Sequence, residues 1–137
     1  DPESEGQLTD DDTIGDFSRP WNAKPDARRL AKGIPKSMFW ATDAGGAEQI
    51  GCIYTAQGFE FDYAAVIWGS DLVIRDGQWV GQPTASRDHV VKTRAGARFI
   101  DCVKNTYRVL LTRGLRGVSL YVLDDETRRF IESRSST

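Results

Sequence analysis

Two short apolar runs with little polar alternation, "QIGCIYT" (Gln49–Thr55) and "YAAVIW" (Tyr63–Trp68), constrain this chain most. A strand with one wet face alternates apolar and polar residues. A run without alternation suits a strand covered on both faces, as in the parallel sheets of α/β folds. "GVSLYV" (Gly117–Val122) reads as another buried strand. Between them, Phe99, Val103, Thr106, Tyr107 and Leu110 recur at helical spacing, so a helix is predicted from Ala95 to Arg113. Gly114 fits the left-handed residue that would end it. Asp76-Gly77 is a two-residue hairpin signal joining Leu72–Arg75 to Gln78–Val80. Asp124 or Asp125 would cap a terminal helix, Glu126–Arg134. The order favours an α/β sandwich with a mainly parallel sheet and a β-hairpin insertion.

The N-terminal part is less regular. Residues 1–12 have almost no apolar content and are expected to be disordered, leaving a domain over 13–134. Thr13–Phe17 suits a short edge strand, and "PWNAKP" (Pro20–Pro25) an irregular turn. Asp26 would cap a short helix, Ala27–Ala31, stopped by Gly33. Ser37–Thr42 reads as a strand, Asp43–Gly46 as a loop and Gly81–Thr93 as a polar surface loop.

No apolar run approaches the ~20 residues of a membrane span. The acidic start lacks the basic and apolar regions of a secretory signal, and no membrane partner is expected. Cys52 and Cys102 sit in apolar segments and read as buried free thiols of a reduced cytoplasm. With one histidine and no paired cysteines, no metal site is expected. Charge is uneven. Residues 1–16 carry seven acids and no base, whereas residues 87–137 carry eleven Lys/Arg against six Asp/Glu. That balance permits an anionic partner, although a solvated surface is the simpler reading of charge alone. The first residue is Asp1 rather than Met, so a piece of a longer protein is expected.

Two stretches could carry chemistry. The polar turn Thr55–Asp62, "TAQGFEFD", follows the first apolar run and should lie at a strand's carboxyl end, where ligands bind in open α/β sheets. Gly58 would let backbone approach a ligand. Gln57 and Glu60 could hydrogen-bond to it, a carboxylate suiting a sugar hydroxyl better than a phosphate. A plain solvated connection is the other reading. In "NTYRVLLTRG", Arg113 closes the helix. It either answers the helix dipole or points into a cleft to stabilise a transferring phosphoryl group. No phosphate-loop motif is present. His89 has no evident nucleophile partner. Glu60, Asp62 and Lys92 make a weak metal-nuclease pattern. The four tryptophans could stack bases, although Trp40 and Trp68 read first as core anchors.

"YTAQGFEFDYAAVIWG" resembles motif V of superfamily 1 helicases, and "NTYRVLLTRGLRGVSLYV" resembles motif VI, in the same order. With "RPWNAKP" upstream, the chain resembles more closely still the bacterial Schlafen-like DNA/RNA helicase-domain ATPases, over about residues 13 to 134. The resemblance implies a second RecA-like domain, a three-layer sandwich. The N-terminal P-loop domain, which would hold ATP and Mg2+, is absent from this chain. By the family pattern Arg113 is the arginine finger, Gly58 and Glu60 border the nucleotide with Glu60 accepting from the ribose, and Gln57 fills the Lys/Gln position. Tyr54, followed by Thr55, stands where helicases commonly place a histidine in a segment that touches the nucleic-acid strand, so translocation is not implied. The expected class is a cytoplasmic, nucleic-acid-linked ATPase, acting on DNA or RNA and inactive as an isolated domain. A non-motor binding module of the same fold and a metal-dependent nuclease are the alternatives.

Overall fold

The computed structural model describes residues 12–135, and the chain divides into two compact units, residues 1–59 and 60–137. The acidic stretch 1–12, apart from Asp12, lies outside the described residues.

In the first unit, β1 (Asp12–Ile14) and β2 (Phe17–Arg19) form an antiparallel hairpin where one edge strand, Thr13–Phe17, is predicted. The predicted helix Ala27–Ala31 does not form. Hemmed between Pro25 and Gly33, it is too short to repay nucleation; it keeps only turns such as Ala27 N–H to the Lys24 carbonyl, 3.1 Å. The predicted strand Ser37–Thr42 is instead a 3-10 turn over Ser37–Phe39, with Met38 and Phe39 exposed.

The predicted strand Gln49–Thr55 is also overturned. Only Ile50 bridges, in parallel, to Trp21. The chain then coils into one helical turn, α1 (Ile53–Ala56). Two tertiary contacts decide this. Gly51 lies under the Trp40 ring, where a Cβ would come within 2.3 Å of it. The Cys52 N–H, which a strand would offer to a neighbour, is taken by the Asn22 side chain at 2.8 Å.

The second unit follows the sequence reading more closely. It contains β3 (Phe61–Trp68), β4 (Leu72–Arg75), β5 (Gln78–Gly81), α2 (Gly96–Leu111), β6 (Gly114–Val122) and α3 (Asp125–Ser135). β3 and β6 pair in parallel, and α2 lies on the crossover between them. β4 and β5 form the expected hairpin, with Asp76 at φ 51° and Gly77 at φ 74°, both left-handed as a type I′ turn requires. The core gathers Val66, Trp68, Leu72, Phe99, Val103, Tyr107 and Val122. Trp68 stacks on Tyr107 with ring centroids 3.9 Å apart, and its indole N–H reaches the Leu72 carbonyl at 2.7 Å.

Three details differ from expectation. Gly114 is not a left-handed helix cap. It opens β6, and a Cβ there would meet the Gly117 carbonyl oxygen at 2.3 Å, so close backbone approach explains the glycine. Among the described residues the parallel pair is covered on one face only. Val66, Trp68 and Val122 are buried, whereas Tyr63 (72 % exposed) and Tyr121 (55 % exposed) face outward, so the missing alternation in "YAAVIW" does not mark burial on both sides. Among the described residues the strands form three separate pairs, and β3–β6 is the parallel one. The architecture is α/β with a small parallel pair and a hairpin. No described helix is long and apolar enough to cross a membrane.

Candidate functional site

The turn carrying the candidate residues precedes β3. Because Gln49–Thr55 is not a strand, the turn meets the sheet at a strand's amino end, not at a carboxyl end as the sequence suggests. In the first unit Gln57 is exposed and caps α1, its N–H bonding to the Ile53 carbonyl at 2.9 Å. Gly58 follows at φ 83°, with nothing within 4 Å of where a Cβ would stand. Its backbone is both open and in a conformation that L side chains avoid. Tyr54 is 57 % exposed. Thr55 turns inward: its hydroxyl lies 3.0 Å from the Cys52 carbonyl and 3.3 Å from Asn22 Oδ1, a fold-stabilising position.

In the second unit, Glu60 and Arg113 come to the same end of the parallel pair. The Phe61 N–H donates to the Arg113 carbonyl at 2.8 Å, just before the Phe61–Gly114 register. Residues far apart in sequence are thereby joined through one main-chain bond. Glu60 is exposed. The Arg113 guanidinium folds back on α2, with Nε donating to the Val109 carbonyl at 3.0 Å and Nη2 to Thr112 Oγ1 at 3.2 Å. In this conformation it answers the carbonyl end of the helix. Reaching a phosphate requires it to leave those bonds, each a net contribution of about 1 kcal/mol.

The other sequence candidates do not assemble. Asp62 pairs with Arg116 at 3.7 Å, both exposed, and no described group of three or more His, Cys, Asp or Glu side chains could hold a metal. His89 lies exposed in its loop. Cys52 and Cys102 are free but half-buried. Trp68 is core. Trp79 is half-buried beside it and, with Lys104, Tyr107, Arg108, Leu111 and Thr112, lines a shallow groove along α2.

Two polar networks escaped the sequence reading. The Tyr107 hydroxyl donates to Asp71 Oδ1 at 2.7 Å and accepts from the Gly69 N–H at 2.8 Å. Burial raises the Asp71 carboxyl above its ordinary value, opposed by its bond from Tyr107, and burial beside Asp71 raises the Tyr107 phenol. Asp124, named only as a helix cap, is a hub. It accepts both guanidinium bonds of Arg75 at 2.7 and 2.9 Å, the Thr127 N–H at 2.9 Å and the Thr127 hydroxyl at 2.6 Å. The buried Thr127 hydroxyl in turn accepts from the Ile74 N–H at 2.8 Å, joining β4 to α3. Hydrogen bonding from Arg75 leads the causes that hold the Asp124 carboxyl far below the usual range.

The sequence profile of the Schlafen group 3, DNA/RNA helicase domain matches residues 2–124. The chain belongs to that family. A Saccharomyces cerevisiae relative, Uncharacterized protein YPL245W, is 30% identical over 105 residues, covering 65% of this chain. The chain spans about a fifth of that relative's length, 21%. No solved structure matches.

Proposed function

We propose that this Schlafen-family domain is the second RecA-like half of a nucleic-acid-linked ATPase, completing a nucleotide site whose phosphate loop lies in another domain of a longer polypeptide. One observation carries the reading: the Phe61–Arg113 main-chain bond brings the motif V-like and motif VI-like segments to one end of a single parallel pair. The residue chemistry suits a nucleotide. Gly58 leaves backbone open to a ligand, Glu60 offers an exposed acceptor for ribose hydroxyls, and Arg113 supplies a cation on a helix end. Gln57, exposed at the end of α1, adds a polar contact. In this reading Mg2+ is held with the phosphates by the phosphate-loop domain of the longer polypeptide. When bound there, the ion would neutralise phosphate charge.

In the resting conformation the Arg113 guanidinium is held on Val109 and Thr112. Closure against nucleotide would draw it off the helix end and toward the γ-phosphate, where arginine fingers accelerate transfer by about 10³–10⁵. A guanidinium that arrives only on closure couples hydrolysis to domain motion. The uncovered face of β3–β6 fits a larger three-layer sheet in which other segments cover Tyr63 and Tyr121. The free thiols suit a reduced cytoplasm. DNA or RNA is the proposed activating partner, with Tyr54 the exposed candidate contact and Thr55 its half-buried neighbour.

The test is a comparison of two purified proteins. The longer polypeptide should hydrolyse ATP with Mg2+ and be stimulated by nucleic acid, whereas the 137-residue chain should show no turnover. Robust Mg-dependent hydrolysis by the 137-residue chain would refute the shared-site reading.

A further inference from the structure

The segment "RPWNAKP" contributes no residue to the proposed nucleotide site, yet its asparagine is tied directly to the turn that does. The Trp21–Ile50 bridge sets Asn22 in place, with the Asn22 N–H on the Ile50 carbonyl and the Ile50 N–H on the Pro20 carbonyl, each at 2.8 Å. Asn22 Nδ2 donates to the Ala23 carbonyl at 3.0 Å, which fixes the amide's orientation. Oδ1 is thereby aimed across the fold, where it accepts the Cys52 N–H at 2.8 Å and lies 3.3 Å from the Thr55 hydroxyl. Cys52 is the N-cap of α1 and supplies no capping bond from its own side chain. One four-residue turn cannot hold itself in water, so α1 depends on such outside contacts. Its last bonds, Gln57 N–H to Ile53 and Phe59 N–H to Ala56, set the path of Gln57 and Gly58.

We infer that Asn22 is a positioning residue for the nucleotide turn, fixing the backbone of Gln57 and Gly58 through Cys52 and α1. The inference rests on the reading of that turn given under Proposed function. Asn22 touches no reacting atom. Its acceptor oxygen sets where the turn begins, and one helical turn transmits that position to Gly58. Its removal should therefore weaken nucleotide binding more than it slows turnover.

The experiment uses the longer polypeptide with Asn22→Leu and Asn22→Asp, read by amide hydrogen exchange over residues 50–58 and by steady-state ATP kinetics. Asn22→Leu should raise exchange across that segment at least about tenfold and raise KM for ATP about tenfold, with kcat within about threefold. Asn22→Asp keeps the acceptor for the Cys52 N–H but sets an oxygen against the Ala23 carbonyl, so it should recover both readouts in part. Wild-type exchange in Asn22→Leu overturns the inference, whether or not the protein hydrolyses ATP. Raised exchange with an unchanged KM overturns it too, since the tie would then serve stability alone. An ATP-inactive wild type defeats the nucleotide reading separately, and with it the positioning role; the exchange data then bear only on the structural tie.

Discussion

Gly58→Ala separates a ligand-facing turn from a mere connection. At φ 83° an alanine is strained, and left-handed backbone costs an L residue about 1–2 kcal/mol. The reduced entropy of the unfolded chain returns part of this, about 0.4–1 kcal/mol. No atom lies within 4 Å of the added methyl, so no clash adds to the cost. The net destabilisation should be about 1 kcal/mol, a fall in Tm of about 3–6 °C for a chain this size. A protein with ordinary stability of 5–15 kcal/mol remains almost wholly folded after that loss. Any large change in nucleotide affinity must therefore arise at the site itself. If the open side of Gly58 faces nucleotide, the methyl occupies ligand space, and KM for ATP should rise about tenfold, equivalent to about 1.4 kcal/mol. Thermal melting of the 137-residue chain reads the first effect, and ATP kinetics of the longer polypeptide carrying the same substitution read the second. The expected melting shift with a wild-type KM would refute the ligand-facing assignment. An unchanged Tm would refute the strain argument.

Asp124→Ala removes a helix cap and the acceptor for both Arg75 and Thr127, so urea unfolding should show a loss of about 2–4 kcal/mol. The Asp124 carboxyl is depressed in the folded state, so its contribution is complete above the unfolded value of about 3.9 and is lost as pH falls below it. Asp124→Asn should flatten that acid-side loss in a stability-versus-pH series, and an unchanged slope would contradict the hub.

The second unit was legible in the sequence because its signals are local. The helical spacing from Phe99 to Leu110 gave α2, and Asp76-Gly77 gave the hairpin. The acid pair at Asp124 and Asp125 gave the start of α3. The stretch Gln49–Thr55 was not legible, because distant contacts decide its shape: the Trp40 ring over Gly51 and the Asn22 oxygen on Cys52. Strand propensity yields there to tertiary context. The convergence of Glu60 and Arg113 on one end of a parallel pair was not legible either, because the Phe61–Arg113 bond and the β3–β6 register join segments far apart in the chain. Nor could the sequence show the Arg113 side chain folded onto its own helix, since the choice between dipole and cleft rests on a rotamer.

The central claim is that Arg113 acts on the transferring phosphoryl group after leaving its resting bonds. Arg113→Ala in the longer polypeptide measures it most directly, with kcat and ATP dissociation constant determined on the same protein. The account expects kcat to fall by about 10³–10⁵ while ATP affinity changes by no more than a few-fold. Turnover within about tenfold of wild type, with the fold intact, would contradict it.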